Sequence, residues 1–237
     1  MRQLAGAAML AALLAASGTL HARGQLQARQ TSIDLPAGVR AGRLVLANTG
    51  DAPLAVQVRV YAWTQDDGDD RLMPSENLVA TPAIVEIPAG AEQLIRVVRP
   101  SAATLEHELA FRVVVDQLPG DPDADAGSAV TVRMRYLIPA FVRAADPAPG
   151  DLRCRIAVAR LDCANHGGRA AQIGATTLVD AAGRSVEVTA GLLGYVLAGS
   201  TRSWPLDADK LAALGPSRTL QVRLNGEPVS LALAPAP

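Results

Sequence analysis

The sequence predicts an all-β protein folded as two β-sandwich units. Helical periodicity is almost absent. Short β-prone runs alternate with turn-forming clusters at close spacing, a pattern of sandwiches rather than of strands alternating with helices. A Pro/Gly-punctuated linker at 145–151 divides these runs into an N-terminal unit at 23–144 and a C-terminal unit at 152–237.

Residues 1–22 read as a signal peptide. Met1-Arg2 gives a short positive start, and the apolar run LAGAAMLAALLAA at 4–16 is too short to anchor in a bilayer. Cleavage is expected after Ala22, with no nearby cysteine to carry a lipid. The chain is therefore read as exported.

In the N-terminal unit, strands are expected at 32–35, 42–48, 54–64, 84–87, 93–99, 108–117 and 129–143. Pro36-Ala37-Gly38, Thr49-Gly50-Asp51, the acidic run 66–70 and Pro88-Ala89-Gly90 separate them. Seven strands in this span suit one immunoglobulin-like domain. The acidic run resembles a calcium loop but lacks a distal glutamate, so a solvated hairpin tip is expected.

In the C-terminal unit, strands are expected at 155–158, 160–164, 175–179, 185–189, 194–197, 201–205, 220–224 and 229–233, with one short helix at 207–214. Cys154 and Cys163 are the two cysteines of the chain. An even count in an exported chain, placed across a tight hairpin, predicts a disulfide. His166 raises a Cys/Cys/His metal site, but no fourth ligand stands nearby.

Several function classes are excluded. The net charge of −1 offers no basic surface for nucleic acid. No second long apolar segment exists, so the mature protein is not expected to be membrane-embedded. No nucleophile elbow, zinc-protease helix or phosphate loop is present, and no catalytic or metal-binding residues are assigned.

The segment 129–143, AVTVRMRYLIPAFVR, is the most informative. Val130, Val132, Met134, Tyr136 and Ile138 alternate with Thr131, Arg133, Arg135 and Leu137, the period of a pleated strand. Pro139 lacks an amide donor and marks a sheet edge or a bulge. A long apolar edge strand invites pairing and is usually blunted. Val130, Val132 and Met134 suit either insertion into a partner or the protein's own core. Pro139 and the acidic loop at 119–128 favour insertion.

The ordered motifs resemble one family. They comprise Asn48-Thr49-Gly50-Asp51, the run from Gln57 to Trp63, the run from Leu78 to Ala83, Ile87-Pro88-Ala89-Gly90, and Glu108-Leu109-Ala110-Phe111-Arg112. Asn165 with Gly167, and the run from Gly194 to Ser200 followed by Trp204, continue the series. Together these resemble the periplasmic pilus-assembly chaperones, the PapD-like family, and within it the branch serving archaic, Csu-type pili. The resemblance covers nearly all of the mature chain.

The resemblance implies two immunoglobulin-like domains at an angle, with a cleft between them. It implies a periplasmic chaperone that caps pilus subunits by donor-strand complementation and hands them to an outer-membrane usher without a cofactor. Val130, Val132 and Met134 fall at the donor positions, and Glu108 and Arg143 at an interdomain ion pair. The two basic residues with which the family grips a subunit's terminal carboxylate fall on Ser32 and Pro139. Arg29, Arg133 or Arg135 are the candidate substitutes, since a guanidinium binds a carboxylate bidentately. Two other classes remain: a pilus subunit or adhesin with immunoglobulin-like domains, and a secreted β-sandwich enzyme. The short segment 23–31 lacks the apolar alternation of a subunit's donor extension, and no catalytic cluster supports an enzyme.

Overall fold

A computed structural model describes residues 25–120 and 132–234. Its first ten strands are β1 (Leu26–Ala28), β2 (Ile33–Leu35), β3 (Ala41–Asn48), β4 (Leu54–Asp66), β5 (Asp69–Pro74), β6 (Val79–Thr81), β7 (Ile84–Ile87), β8 (Glu92–Val98), β9 (Leu109–Gln117) and β10 (Arg135–Val142). One sheet runs β1-β3-β8-β6. The other runs β2-β10-β9-β4-β5, with β7 also paired to β4. Leu44, Leu46, Ile95 and Val97 of the first sheet meet Val56, Val58, Phe111, Val113, Val115, Ile138, Ala140 and Val142 of the second in one aliphatic core. Strict alternation in β9 sends Phe111, Val113 and Val115 into that core and leaves Ala110, Arg112, Val114 and Asp116 on the opposite face.

The second half holds β11 (Leu152–Ala157), β12 (Arg160–Asn165), β13 (Ala171–Asp180), β14 (Ser185–Val196), β15 (Thr201–Pro205), α1 (Ala208–Ala212), β16 (Arg218–Leu224) and β17 (Glu227–Ala232). The sheets run β11-β12-β15 and β14-β13-β16-β17. Cys154 and Cys163 face each other in register across the β11–β12 hairpin and are joined as a disulfide. Their sulfurs are bonded to one another rather than held as thiolates for a metal. Asp207 caps α1 by accepting from the Asp209 and Lys210 amides, which ends the extended chain and starts the helix there.

Each half contains the same device at a strand end. Asn48 is buried, donates to the Ala52, Ile87 and Pro88 carbonyls and accepts from the Gly50 amide. Asn165 is buried likewise, donates to the Arg169 and Val196 carbonyls and accepts from the Gly167 amide. The side chain replaces the backbone partners that a buried turn would otherwise lack.

Three sequence expectations are corrected. β14 is one long strand where two were expected, because irregularities in its register with β13 let it bend without breaking. The strand expected at 129–143 is assigned as strand only over β10. Residues 129–131, with Val130 among them, lie outside the described residues. The acidic tip between β4 and β5 is not simply solvated, because Gly68 forms a bridge with Arg202 of β15.

Candidate functional site

β10 changes character along its length. β9 pairs with all of it, from Arg135 opposite Asp116 to Val142 opposite Leu109. On its other side β2 pairs only with Ala140, Phe141 and Val142, in parallel. From Arg135 to Pro139 that side has no strand partner among the described residues; the Leu137 carbonyl accepts from the Arg112 side chain at 3.4 Å. Met134 carbonyl accepts from Gln117 N–H, so even-numbered residues face β9. Arg143 N–H donates to Leu35 carbonyl, so odd-numbered residues face the other way. Arg135 and Leu137 therefore turn their N–H groups to the open edge. Pro139 also faces that edge and has no N–H to offer, so the open ladder stops one residue before β2 begins.

The side chains divide by the same parity. Met134, Tyr136, Ile138, Ala140 and Val142 face the first sandwich's core. Met134 is half-buried against that core, so its own sandwich already holds part of it. Val132, next on the same face, is 72% exposed. The apolar row thus runs past the end of the core it belongs to. On the opposite face Leu137 is 49% exposed, while Phe141 is buried.

The buried end of this opposite face carries the junction with the second half. Trp63, Phe141, Tyr195 and Leu197 form one apolar cluster, with Ala110 and Ala170 against it. The Trp63 and Tyr195 rings meet edge-on at 5.6 Å, and Phe141 lies 5.8 Å from Tyr195. Beside the cluster, Glu108 is buried, and its carboxylate accepts from Arg143 and from the Ala170 amide at 2.8 Å. Arg143 also pairs with Asp34 at 2.6 Å. Burial pushes the Glu108 carboxyl upward, and Arg143 and the Ala170 N–H oppose it.

The three arginines nominated from the sequence stand apart from one another. Arg29 pairs with Glu92 of β8, in the sheet that does not contain β10, at 2.6 Å. Arg135 shares Asp116 with Arg59, and those two guanidinium groups hold the Asp116 carboxyl below its usual range against the effect of burial. Arg133 is exposed just before β10. Arg29 and Arg135 thus each already pair with a carboxylate of this chain that lies far away in sequence.

Arg112 is the residue that sequence reasoning missed. It lies directly opposite Pro139 in the β9–β10 register. Its guanidinium stacks 3.6 Å from the Trp63 ring centroid and lies 5.7 Å from that of Tyr195. No ion pair forms on it among the described residues. Burial lowers its pKa, and Asp70 opposes that through space. The signal was present in the alternation of β9, where an arginine sits on the face opposite Phe111.

These features define a class: an immunoglobulin-like protein with an open edge strand beside the junction of two sandwiches. The chain belongs to the pili and flagellar-assembly chaperone family, matching its PapD N-terminal domain over residues 25–147. Solved structures agree in fold. A chain of the CsuC–CsuE chaperone–tip adhesion subunit pre-assembly complex, from archaic Csu pili of Acinetobacter baumannii, is similar at 21% identity and a TM-score of 0.67. It covers 89% of this chain and 100% of that one. The Salmonella enterica structure of SafA pilin in complex with the SafB chaperone gives 15% identity and a TM-score of 0.64, covering 88% and 96%. The E. coli chaperone DraB gives 19% and 0.61, covering 90% and 100%. A search of curated proteins finds no match to this chain. The family is one of chaperones rather than enzymes. No helix among the described residues is long and apolar enough to cross a membrane.

Proposed function

We propose that this protein is a periplasmic chaperone that caps a pilus subunit by lending it the open edge of β10. The exposed continuation of a core-facing apolar row, past a strand edge left unpaired, carries the reading. A docked strand gains ladder hydrogen bonds from Arg135 and Leu137. Val132, and Val130 before it, would enter the subunit's groove and bury apolar area worth ~25 cal/mol per Å². Met134 would bridge the two cores. The leader at 1–22 delivers the chain to the periplasm, and the loaded chaperone passes its subunit to an outer-membrane usher.

Within this reading Arg112 is the preferred partner for a carboxylate at the end of the docked strand, with Arg133 the remaining candidate of the original three. A guanidinium without an ion-pair partner, part-buried and stacked on an aromatic ring, gains more from an incoming carboxylate than one already paired. Beside it Glu108, held by Arg143 of the same sandwich, accepts from the Ala170 amide of the second and so links the two. Co-expression with a pilin from the same gene cluster tests the proposal. A soluble one-to-one complex is expected; a pilin that stays soluble alone and never co-purifies would sink the idea.

A further inference from the structure

The β4–β5 hairpin reaches beyond its own sheet. β9 pairs with β4 only from Val56 to Ala62, so from Trp63 to Asp66 the sole strand partner of β4 among the described residues is β5. The projecting arm ends in a tight turn with Asp67 and Gly68 at positive φ, and there it meets the second half. Ser203 N–H donates to the Gly68 carbonyl at 3.1 Å. Arg202 donates to the same carbonyl, pairs with Asp69 at 2.8 Å and approaches Asp70 at 3.6 Å. Lower on the arm, the Gln65 side chain completes a ladder with the end of β14. Its Nε2 donates to the Tyr195 carbonyl at 2.8 Å and its Oε1 accepts from the Leu197 amide at 2.9 Å. The approach leaves no room at the tip: a Cβ on Gly68 would stand 2.7 Å from Ser203 Oγ.

The junction therefore has two polar fastenings with the aromatic cluster between them. One, the Ala170 amide donating to the Glu108 carboxylate that Arg143 holds, lies beside the chain crossing between the halves. An attachment at the crossing alone leaves rotation about it free. The hairpin adds a second attachment on residues more than 100 positions away along the chain, and two separated attachments define an orientation. The two also differ in exposure. The Glu108 side chain is 2% exposed, whereas that of Asp69 is 68% exposed. Salt screens the second and leaves the first nearly untouched.

We propose that the β4–β5 hairpin is a clasp that fixes the second sandwich relative to the open edge of β10, with Gln65, Gly68 and Arg202 as positioning residues for strand docking. The docking part rests on the function proposed above; the orientation part does not. Small-angle scattering and subunit capture are measured on the mature full chain carrying Gln65→Ala with Arg202→Ala. Both sandwiches should melt as in the parent, while the radius of gyration rises and capture slows at least about tenfold, less than the four hydrogen bonds removed could together contribute. Asp69→Asn, at an exposed position that cannot disturb a core, should shift scattering the same way but less. The parent's radius should grow between about 0.05 M and about 0.5 M salt, and the double variant's should not. Gly68→Ala should mimic the double variant, and adding Ser203→Gly should partly restore capture. Unchanged scattering in the double variant overturns the clasp, and unchanged capture with altered scattering overturns its positioning role. A parent that captures no subunit defeats the proposed function, while its scattering still decides the orientation.

Discussion

Among the described residues, the first sandwich leaves one side of β10 without a strand partner from Arg135 to Pro139, whereas the second ties down its small sheet. There, Cys154 and Cys163 lock β11 to β12, β15 covers the far side of β12, and Arg155 of β11 forms a bridge with Ala234. Both halves anchor a strand end on a buried asparagine, so the contrast lies in the edges rather than in the turns. An unfinished edge costs stability and invites aggregation unless something is meant to occupy it. Under the proposed function the two halves do separate work: the first presents a strand, and the second supplies the body against which it is held.

The sharpest way to break this contrast is to spoil the apolar row where it leaves the core. Val132→Asp should reduce subunit capture about a hundredfold or more, since a fully buried valine is worth about 2–3 kcal/mol and a buried carboxylate costs further. Because Val132 is exposed in the free protein, its melting temperature should not move. A matched loss of stability would place Val132 in the protein's own core and sink the donor reading.

Opening the second half should do the reverse. Cys154→Ala with Cys163→Ala frees a loop spanning a separation of 9 residues and should cost about 2–3 kcal/mol, read by denaturant unfolding. Capture by the molecules that remain folded should be unchanged.

A milder pair of changes separates ladder from charge. Leu137→Pro deletes an edge-facing N–H without touching the β9 ladder and should weaken capture about tenfold. Arg112→Ala should weaken it by a similar factor, about tenfold, and only for strands carrying a carboxylate at that end. If it weakens capture of an amidated strand equally, Arg112 serves the aromatic junction alone.

The smallest expected effect concerns acid. The Gly215 amide, with those of Arg184 and Ala182 and the Arg184 side chain, holds the Asp180 carboxyl at about 2, against the opposing effect of burial. A depressed carboxyl contributes stability above its ordinary value that is lost as pH falls through its folded value. Asp180→Asn should therefore lower the melting temperature slightly at neutral pH, with the difference shrinking as pH falls from about 4 through about 2. A constant difference across that range would show that the charge plays no part.

Much of this was legible in the chain. The alternation in 129–143 placed Met134, Tyr136 and Ile138 on one face, and the structure keeps them there. Pro139 marked an edge because a missing donor is a local fact. The Asn-x-Gly turns and the Cys154–Cys163 pairing likewise rest on groups close in sequence. The strands β1, β5 and β6 were not foreseen. The first and last are three residues long, too short to show a period, and β5 is exposed on both faces. The partners of the arginines were hidden for a related reason. Arg29 and Glu92 stand 63 positions apart, and Arg135 and Asp116 stand 19 apart. No local pattern announces such partners.

By itself the sequence determined which residues turn inward, where the chain turns and where a ladder must stop, because side-chain period, turn chemistry and proline's missing N–H act over a few residues. Only the tertiary structure decided which edge stays open, that β2 covers β10 from Ala140 onward, that Arg112 and not Arg29 stands at the junction, and that the β4–β5 tip meets Arg202. Each of those depends on which distant segment arrives alongside, and the local alternation of polar and apolar residues carries no record of it.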